Sequence, residues 1–206
     1  MESDISKTEI FIINRYAASE LAGSIWLGKM ARKADDAILI KNLTWHCMEE
    51  ARHAFVWQNL INRLEIPLMQ IHDEDGENYF SQIDKVNNMI EFLAFTHIFE
   101  HRVPFHFSMH LKWTKNEAVK EILEKLIPEE TPHLAWIENY LKEEIDKGNN
   151  NIKQSLDTFK KLEKEIYYKD LEKLERMSDS GKEFVQIIKN NIRNFEKIKK
   201  WWENEK

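Results

Sequence analysis

The sequence predicts an all-α protein: a four-helix bundle of two antiparallel hairpins joined by a long crossover, with two additional C-terminal helices. Glycine (5) and proline (4) are scarce among 206 residues, which disfavours β-sandwiches, propellers and low-complexity chains. Apolar residues recur at helical spacing through most of the chain. With 42% hydrophobic residues the chain can bury one core, so we expect a single domain over residues 1–206.

The first hairpin is predicted before residue 66. Residues 8–34 form the first helix, and Asp35 and Asp36 supply a break and an N-cap for a second helix that ends near Arg63. Residues 66–83 then form an unusually long connection. A helix of about 28 residues is roughly 42 Å long, and 18 extended residues reach about 60 Å, so this segment can cross the whole bundle.

The second hairpin is predicted from a helix between about Asp84 and Trp113 and another between about Asn116 and Lys147, stopped at Gly148. The bundle therefore spans residues 8–147. Amphipathic stripes over residues 151–178 and 182–203 predict a C-terminal helical hairpin, within residues 151–206, that docks on the bundle.

Charge and leader analysis favour a cytoplasmic protein. Cys47 is the only cysteine, the N-terminal residues lack the basic and apolar regions of a signal peptide, and no apolar run is long enough to span a membrane. Residues 1–150 carry 16 basic against 25 acidic side chains, so nucleic acid is not a favoured partner.

Two Glu-x-x-His motifs occur, Glu50-x-x-His53 and Glu130-x-x-His133. Either motif alone is a weak signal in a glutamate-rich chain. However, a further glutamate precedes each by the same 30 residues, Glu20 before Glu50 and Glu100 before Glu130. In antiparallel hairpins with turns near residues 35 and 115, each such pair lies at the same depth.

These four glutamates lie on the apolar faces of their predicted helices, because residues three, four and seven positions away are mostly apolar or small. Buried carboxylates without compensating cations are strongly unfavourable. Two divalent ions would balance four carboxylates, and neutral imidazoles would add nitrogen ligands. The pattern therefore predicts a dinuclear metal site.

The motif set resembles that of the ferritin-like diiron-carboxylate superfamily, whose bundles carry one Glu on each of two helices and Glu-x-x-His on each of the other two. The resemblance covers residues 8–147 and favours the small oxygenase and hydroxylase branch. It implies two iron ions, with a manganese–iron pair as an alternative. The implied ligands are Glu20 and Glu100 as single carboxylates, Glu50 and Glu130 as bridges, and His53 and His133 as nitrogen donors.

The doubled acids extend the resemblance. In larger diiron oxygenases an acid just before the Glu-x-x-His motif often holds the histidine of the other motif, which fixes a metal-bound imidazole. This implies that Glu129 holds His53 and that Glu49 holds His133; solvated surface charge is the alternative. Pro104 and Pro132 are expected to kink or bulge their helices beside the ligands, unless Pro128 begins a new helical segment.

The resemblance implies an O2-dependent diiron oxygenase or oxidase that hydroxylates, desaturates or cleaves a small organic substrate and takes electrons from a donor. A ferroxidase or peroxidase of rubrerythrin or bacterioferritin type is an alternative, although the chain carries no rubredoxin-like cysteine set. A non-catalytic helical binding protein is the third. A homodimer is possible: a monomer or dimer would favour an oxygenase, and a large hollow multimer a ferroxidase.

The remaining histidines and aromatic residues are expected to have mostly structural roles. We expect surface or ordinary packing roles for His46, His101, His106 and His110, whereas His97, three residues before Glu100, could also contact a metal ligand or substrate. Tyr16, Trp57 and Tyr140 are expected in the core. The basic and aromatic tail around Trp201 and Trp202 is expected to dock on the bundle or a second copy, with a membrane surface as the alternative.

Overall fold

In the computed structural model of the chain, residues 5–71, 82–83, 85–86, 88–197 and 200–203 are described. They form helices without any β-strand in these ranges, which confirms the all-α prediction. The elements are α1 (Lys7–Ala31), α2 (Ala37–Arg63), α3 (Met89–Glu100), α4 (Val103–Trp113), α5 (Glu117–Asp146), α6 (Asn151–Met177), α7 (Asp179–Glu196) and a 3₁₀ turn (Trp201–Glu203).

The first hairpin follows its capping signals closely. The hydroxyl of Ser6 accepts a hydrogen bond from the amide of Glu9 at the start of α1, and the Asp36 carboxylate accepts one from Leu39 at 2.7 Å at the start of α2. Helix α2 ends at Arg63, as predicted. Most of the predicted crossover, residues 72–81, lies outside the described residues.

The predicted third helix is wrong in its continuity and its start. It is interrupted at His101–Arg102 and becomes α3 and α4, because Pro104 has no amide to donate to the carbonyl of Glu100 and instead occupies the first turn of α4. Helix α3 begins at Met89, where the Asn88 side chain accepts a hydrogen bond from the Glu91 amide at 2.9 Å.

Helix α5 is continuous from Glu117 to Asp146 through both Pro128 and Pro132, so the alternative in which Pro128 begins a new segment is wrong. Gly148, with φ of 96°, follows its end. Only Ser178 separates α6 from α7, and its hydroxyl accepts from the Gly181 amide. Helix α7 therefore begins before the predicted residue 182, and it ends at Glu196 rather than 203.

The helices pack as two hairpins, against which α6 and α7 lie. Helix α1 pairs with α2, α2 contacts α5, and α5 contacts both α3 and α4. Helix α6 packs on α3 and reaches α1, while α7 packs on α4 and α6. Within the described ranges, every helix is too short or too polar to cross a membrane.

Two apolar clusters fill the interior. One contains Tyr16, Trp57 and Leu126, and the other contains Leu27, Leu43 and Ile137. Because each of α1, α2 and α5 contributes to both clusters, the residues between these positions on the same helix faces form a layer across the middle of the bundle. That layer carries the predicted site.

Candidate metal centre

The layer between the two apolar clusters consists of acidic and histidine side chains from four helices. The three histidines are fully buried, and the four carboxylate side chains are between 2% and 12% exposed. The set includes all six predicted ligands and one further histidine. Its members are Glu20 on α1, His46, Glu50 and His53 on α2, Glu100 on α3, and Glu130 and His133 on α5.

Two groups of donor atoms within this layer each lie within 4.8 Å of one another. One group is Glu20, Glu50 and His53, and the other is His46, Glu50 and His133. Glu50 belongs to both. Glu130 also faces both sides, because its Oε1 is 3.3 Å from Nδ1 of His53 and its Oε2 is 3.6 Å from Nδ1 of His133. Glu50 and Glu130 therefore lie where ligands shared by two ions would lie.

Several of these converging atoms approach one another at 3.1–3.3 Å without the geometry of a hydrogen bond, so they have no hydrogen-bond partner among the described residues. They are buried nitrogen and oxygen atoms, and each such orphan costs about 1–3 kcal/mol. Imidazole nitrogen and carboxylate oxygen together suit iron, manganese or zinc. The orphaned set, Nδ1 of His53 and His133 with Oε1 of Glu50 and Glu130 and Oε2 of Glu100, therefore fits a pair of divalent cations.

The pKa shifts show how the layer responds when no cation compensates its charge. Burial, followed by the neighbouring Glu50 charge, raises the pKa of Glu20 well above its ordinary value. Burial lowers the pKa of His53, but contacts with Glu130 and Glu20 raise it on balance to about 11. For His133 the same competition, with Glu130 and Glu50 as partners, gives a pKa of about 9. Without metal ions, protons on these side chains therefore offset the negative charge of the carboxylates.

His46 is the residue that the sequence analysis misjudged. It is fully buried and stacked on His133 with ring centres 4.0 Å apart, and its Nε2 lies 3.2 Å from Glu100 and 3.4 Å from Glu50. A spacing signal was available: His46 precedes Glu50 by four residues and His53 by seven, which places all three on one helix face.

Trp136 fixes the role of His46. The indole Nε1 lies 3.3 Å from Nδ1 of His46, and because an indole nitrogen only donates, Nδ1 must accept. The neutral ring then carries its proton on Nε2, which faces Glu100 and Glu50; His46 would have to lose this proton to act as a metal ligand in the second donor group. Burial lowers the pKa of His46 while Glu100 and Glu50 raise it to about 10; the indole opposes that second proton. We therefore interpret His46 as a residue that positions Glu100.

The outer nitrogen of His53 contacts a charged pair at the surface between α2 and α5. His53 Nε2 lies 3.2 Å from Glu129, the residue that the resemblance implied for it. Arg52 donates to Glu129 at 2.7 Å and to Glu49 at 2.9 Å, so it ties the two acids together. Glu49 pairs with Arg52, and Nε2 of His133, the residue that the resemblance assigned to Glu49, has no hydrogen-bond partner among the described residues.

A cavity of about 170 Å³ adjoins the layer between α1, α3, α4 and α6. We call it the metal-side cavity. Glu20, Glu50 and Glu100 line one end of it. Its walls are mostly apolar and include Ile12, Val103, Phe107, Ile166, Leu171 and Leu174. The remaining lining side chains include two ion pairs, Arg102 with Glu163 and Arg15 with Asp170.

Residues outside the layer take structural positions. His97 is buried and accepts a hydrogen bond from the Trp201 indole at 3.1 Å, and Trp202 donates to Asp157 at 3.0 Å, so the aromatic tail docks on α3 and α6. His110 is fully buried and contacts Glu9 at 3.1 Å and the Tyr16 hydroxyl at 3.2 Å. These contacts explain their burial without a metal.

Comparisons with protein-family profiles, curated proteins and solved structures found no match to this chain. Any statement about its family and activity therefore rests on the residues and geometry described above.

Proposed function

We propose that this protein is a non-haem diiron oxidoreductase of the ferritin-like type that activates O2 to oxidise a small organic substrate. The observation that carries the proposal is the convergence of four buried carboxylates and two imidazole Nδ1 atoms, with Glu50 common to both donor groups. Carboxylate-rich sites with few nitrogen ligands suit iron and manganese, so a manganese–iron pair is the variant to compare.

Each residue of the layer has a role in this proposal. Glu20, Glu50, Glu100 and Glu130 would hold the ions through their carboxylate oxygens, and His53 and His133 would supply nitrogen. Two ferrous ions would supply the electrons that reduce O2, and a donor protein or small reductant would restore them. Two further side chains orient the ligands: Glu129 contacts the outer nitrogen of His53, and His46 contacts Glu100.

The metal-side cavity supports an organic substrate over iron itself as substrate. A space of about 170 Å³ with mostly apolar walls adjoins three of the carboxylates and can hold an apolar molecule beside them, whereas a ferroxidase has no need of such a space. A ferroxidase, a peroxidase or a binding protein without turnover are the alternatives that experiment must separate.

Anaerobic titration with Fe(II) tests the site directly. We expect saturation at two ions per chain and loss of at least one ion in Glu50→Gln, because Glu50 belongs to both donor groups. Glu124→Gln on α5, an exposed glutamate, is the matched control and should keep both ions. Two ions retained by Glu50→Gln, or less than one bound by the unmodified chain, would refute the assignment.

Exposure of the loaded protein to O2 then separates the functions. An oxygenase should consume O2 with a reductant present and insert or remove atoms in an added organic molecule, detected by mass spectrometry. Continuous oxidation of excess Fe(II) into a mineral would instead favour a ferroxidase. Stable iron binding without O2 consumption would favour a binding protein.

A further inference from the structure

The charges around the metal-side cavity are already paired. Arg102 donates to Glu163 through Nε at 2.7 Å and through Nη2 at 2.9 Å, and Arg15 pairs with Asp170. Two dications would balance the four carboxylates of the layer. A charged ligand would therefore add an uncompensated charge to a mainly apolar space, which is strongly unfavourable. The cavity favours a neutral ligand.

The size of the cavity restricts the ligand further. An engineered apolar cavity of about 150 Å³ in another protein binds benzene. The metal-side cavity, at about 170 Å³, can accept a six-membered ring or a short branched chain. Apolar contact with Ile12, Phe107 and Ile166 would supply most of the binding.

Arg102, one of the polar groups in the lining, has donor capacity left. Arg102 is 8% exposed, and its Nη1 is buried without a hydrogen-bond partner among the described residues. Its guanidinium carbon lies 4.2 Å from the Tyr167 ring centre and 4.7 Å from that of Phe195, so two rings and Glu163 hold the group in place. An oxygen acceptor on a ligand would satisfy this preorganised donor.

We propose that the metal-side cavity binds a small, neutral and largely apolar molecule that carries one hydrogen-bond-accepting oxygen. The oxygen binds Arg102 Nη1, and the apolar body lies towards Glu20, Glu50 and Glu100. This names the substrate class of the proposed enzyme, and in that sense it rests on the proposed function. Carboxylic acids, amines and phosphorylated compounds are excluded as substrates.

The experiment uses zinc-loaded protein, because zinc does not turn over with O2. Four probes of similar ring size are titrated and followed by methyl NMR signals of Ile12 and Ile166: cyclohexanone, methylcyclohexane, cyclohexanecarboxylate and cyclohexylammonium. Cyclohexanone should bind about tenfold more tightly than methylcyclohexane, because it alone satisfies the buried donor. The two charged probes should show no saturable binding. A charged probe that binds as tightly as cyclohexanone overturns the proposal.

Two variants and a control locate the binding. Arg102→Met combined with Glu163→Met removes the donor together with its partner, so no buried charge is left alone. This pair should abolish the tenfold preference and retain methylcyclohexane binding. Ile166→Phe should fill the cavity and prevent binding of both probes, whereas Glu165→Phe, at an exposed site on the same helix, should leave both unchanged. The proposal is overturned if the double variant still prefers cyclohexanone to methylcyclohexane, or if either probe still binds to Ile166→Phe. If either variant fails to fold, the ranking of the four probes on the unmodified chain decides.

Metal content measured on the same samples separates this inference from the proposed function. Two zinc ions without saturable cyclohexanone binding would overturn the substrate class and leave the metal centre intact. Saturable cyclohexanone binding without stoichiometric metal would support the ligand class and refute the dinuclear centre.

Discussion

Metal loading of this protein is expected to be an exchange of protons for cations. In the metal-free chain, the pKa values of His53 and His133 are raised to about 11 and about 9, and that of Glu20 is raised well above its ordinary value. The two imidazoles therefore hold protons at pH 7. Both must be deprotonated to act as ligands, so binding of two dications should release at least two protons per chain.

Isothermal titration calorimetry at pH 7, with Zn(II) in buffers of different ionisation enthalpy, measures the proton count. The overall binding constant for two ions should rise at least about a hundredfold per pH unit near neutrality, because each of the two protons released from His53 and His133 contributes a factor of about ten. Glu124→Gln, on the exposed face of α5, should release the same number. The measurement covers a pH range of roughly 6 to 8, in which free histidine titrates. A proton release close to zero, or a zinc affinity that does not change with pH over this range, would show that the layer is not protonated as described.

Three further predictions concern stability. Arg102→Met should lower the free energy of unfolding, measured by urea titration, by about 3–5 kcal/mol, because Glu163 is left buried and unpaired. Adding Glu163→Met should restore most of the lost stability. Equal losses in the single and the double variant would contradict the pairing argument. Gly181→Ala should destabilise the protein by about 1–3 kcal/mol, since a Cβ there would lie 2.0 Å from the Leu174 carbonyl oxygen, whereas Ser180→Ala serves as the neighbouring control in the same thermal melts. The metal-free protein should melt at progressively lower temperature as the pH rises. The raised pKa values of His53 and His133 give a stabilisation that is complete below about pH 6.5 and is lost as the pH passes about 9 and about 11. A melting temperature that increases with pH over this interval, measured with a chelator present, would be inconsistent with the imidazolium–carboxylate pairs.

Local signals predicted much of the helical framework. The start of α2 follows from Asp36 as an N-cap. The equal separation of Glu20 from Glu50 and of Glu100 from Glu130 predicted a common depth for each pair, which the structure shows for Glu20 and Glu50. Pro104 was expected to distort its helix, and the break between α3 and α4 lies at that position. These features depend on residues close together in sequence or on simple hairpin symmetry.

Contacts between distant helices could not be predicted in this way. His46 was missed because the Glu-x-x-His spacing directed attention to residues after each glutamate, while its partners Trp136 and Glu100 are on other helices. The pairing of Arg102 with Glu163 depends on how α6 lies against the α3–α4 break, which no periodicity encodes. The position of the cavity depends on the same packing.

The break between α3 and α4 also lets two side chains that are close in sequence line the same cavity. Glu100, the last residue of α3, lines the cavity at the ion-binding end, and Arg102, two residues later, also lines it and has a buried Nη1 without a hydrogen-bond partner among the described residues. An uninterrupted helix would rotate these two positions about 200° apart around its axis. Because Pro104, two residues downstream, interrupts the helix, one short stretch of backbone places a side chain at each end of a bound molecule. Any shift of the backbone at this break would therefore alter ion geometry and ligand orientation together.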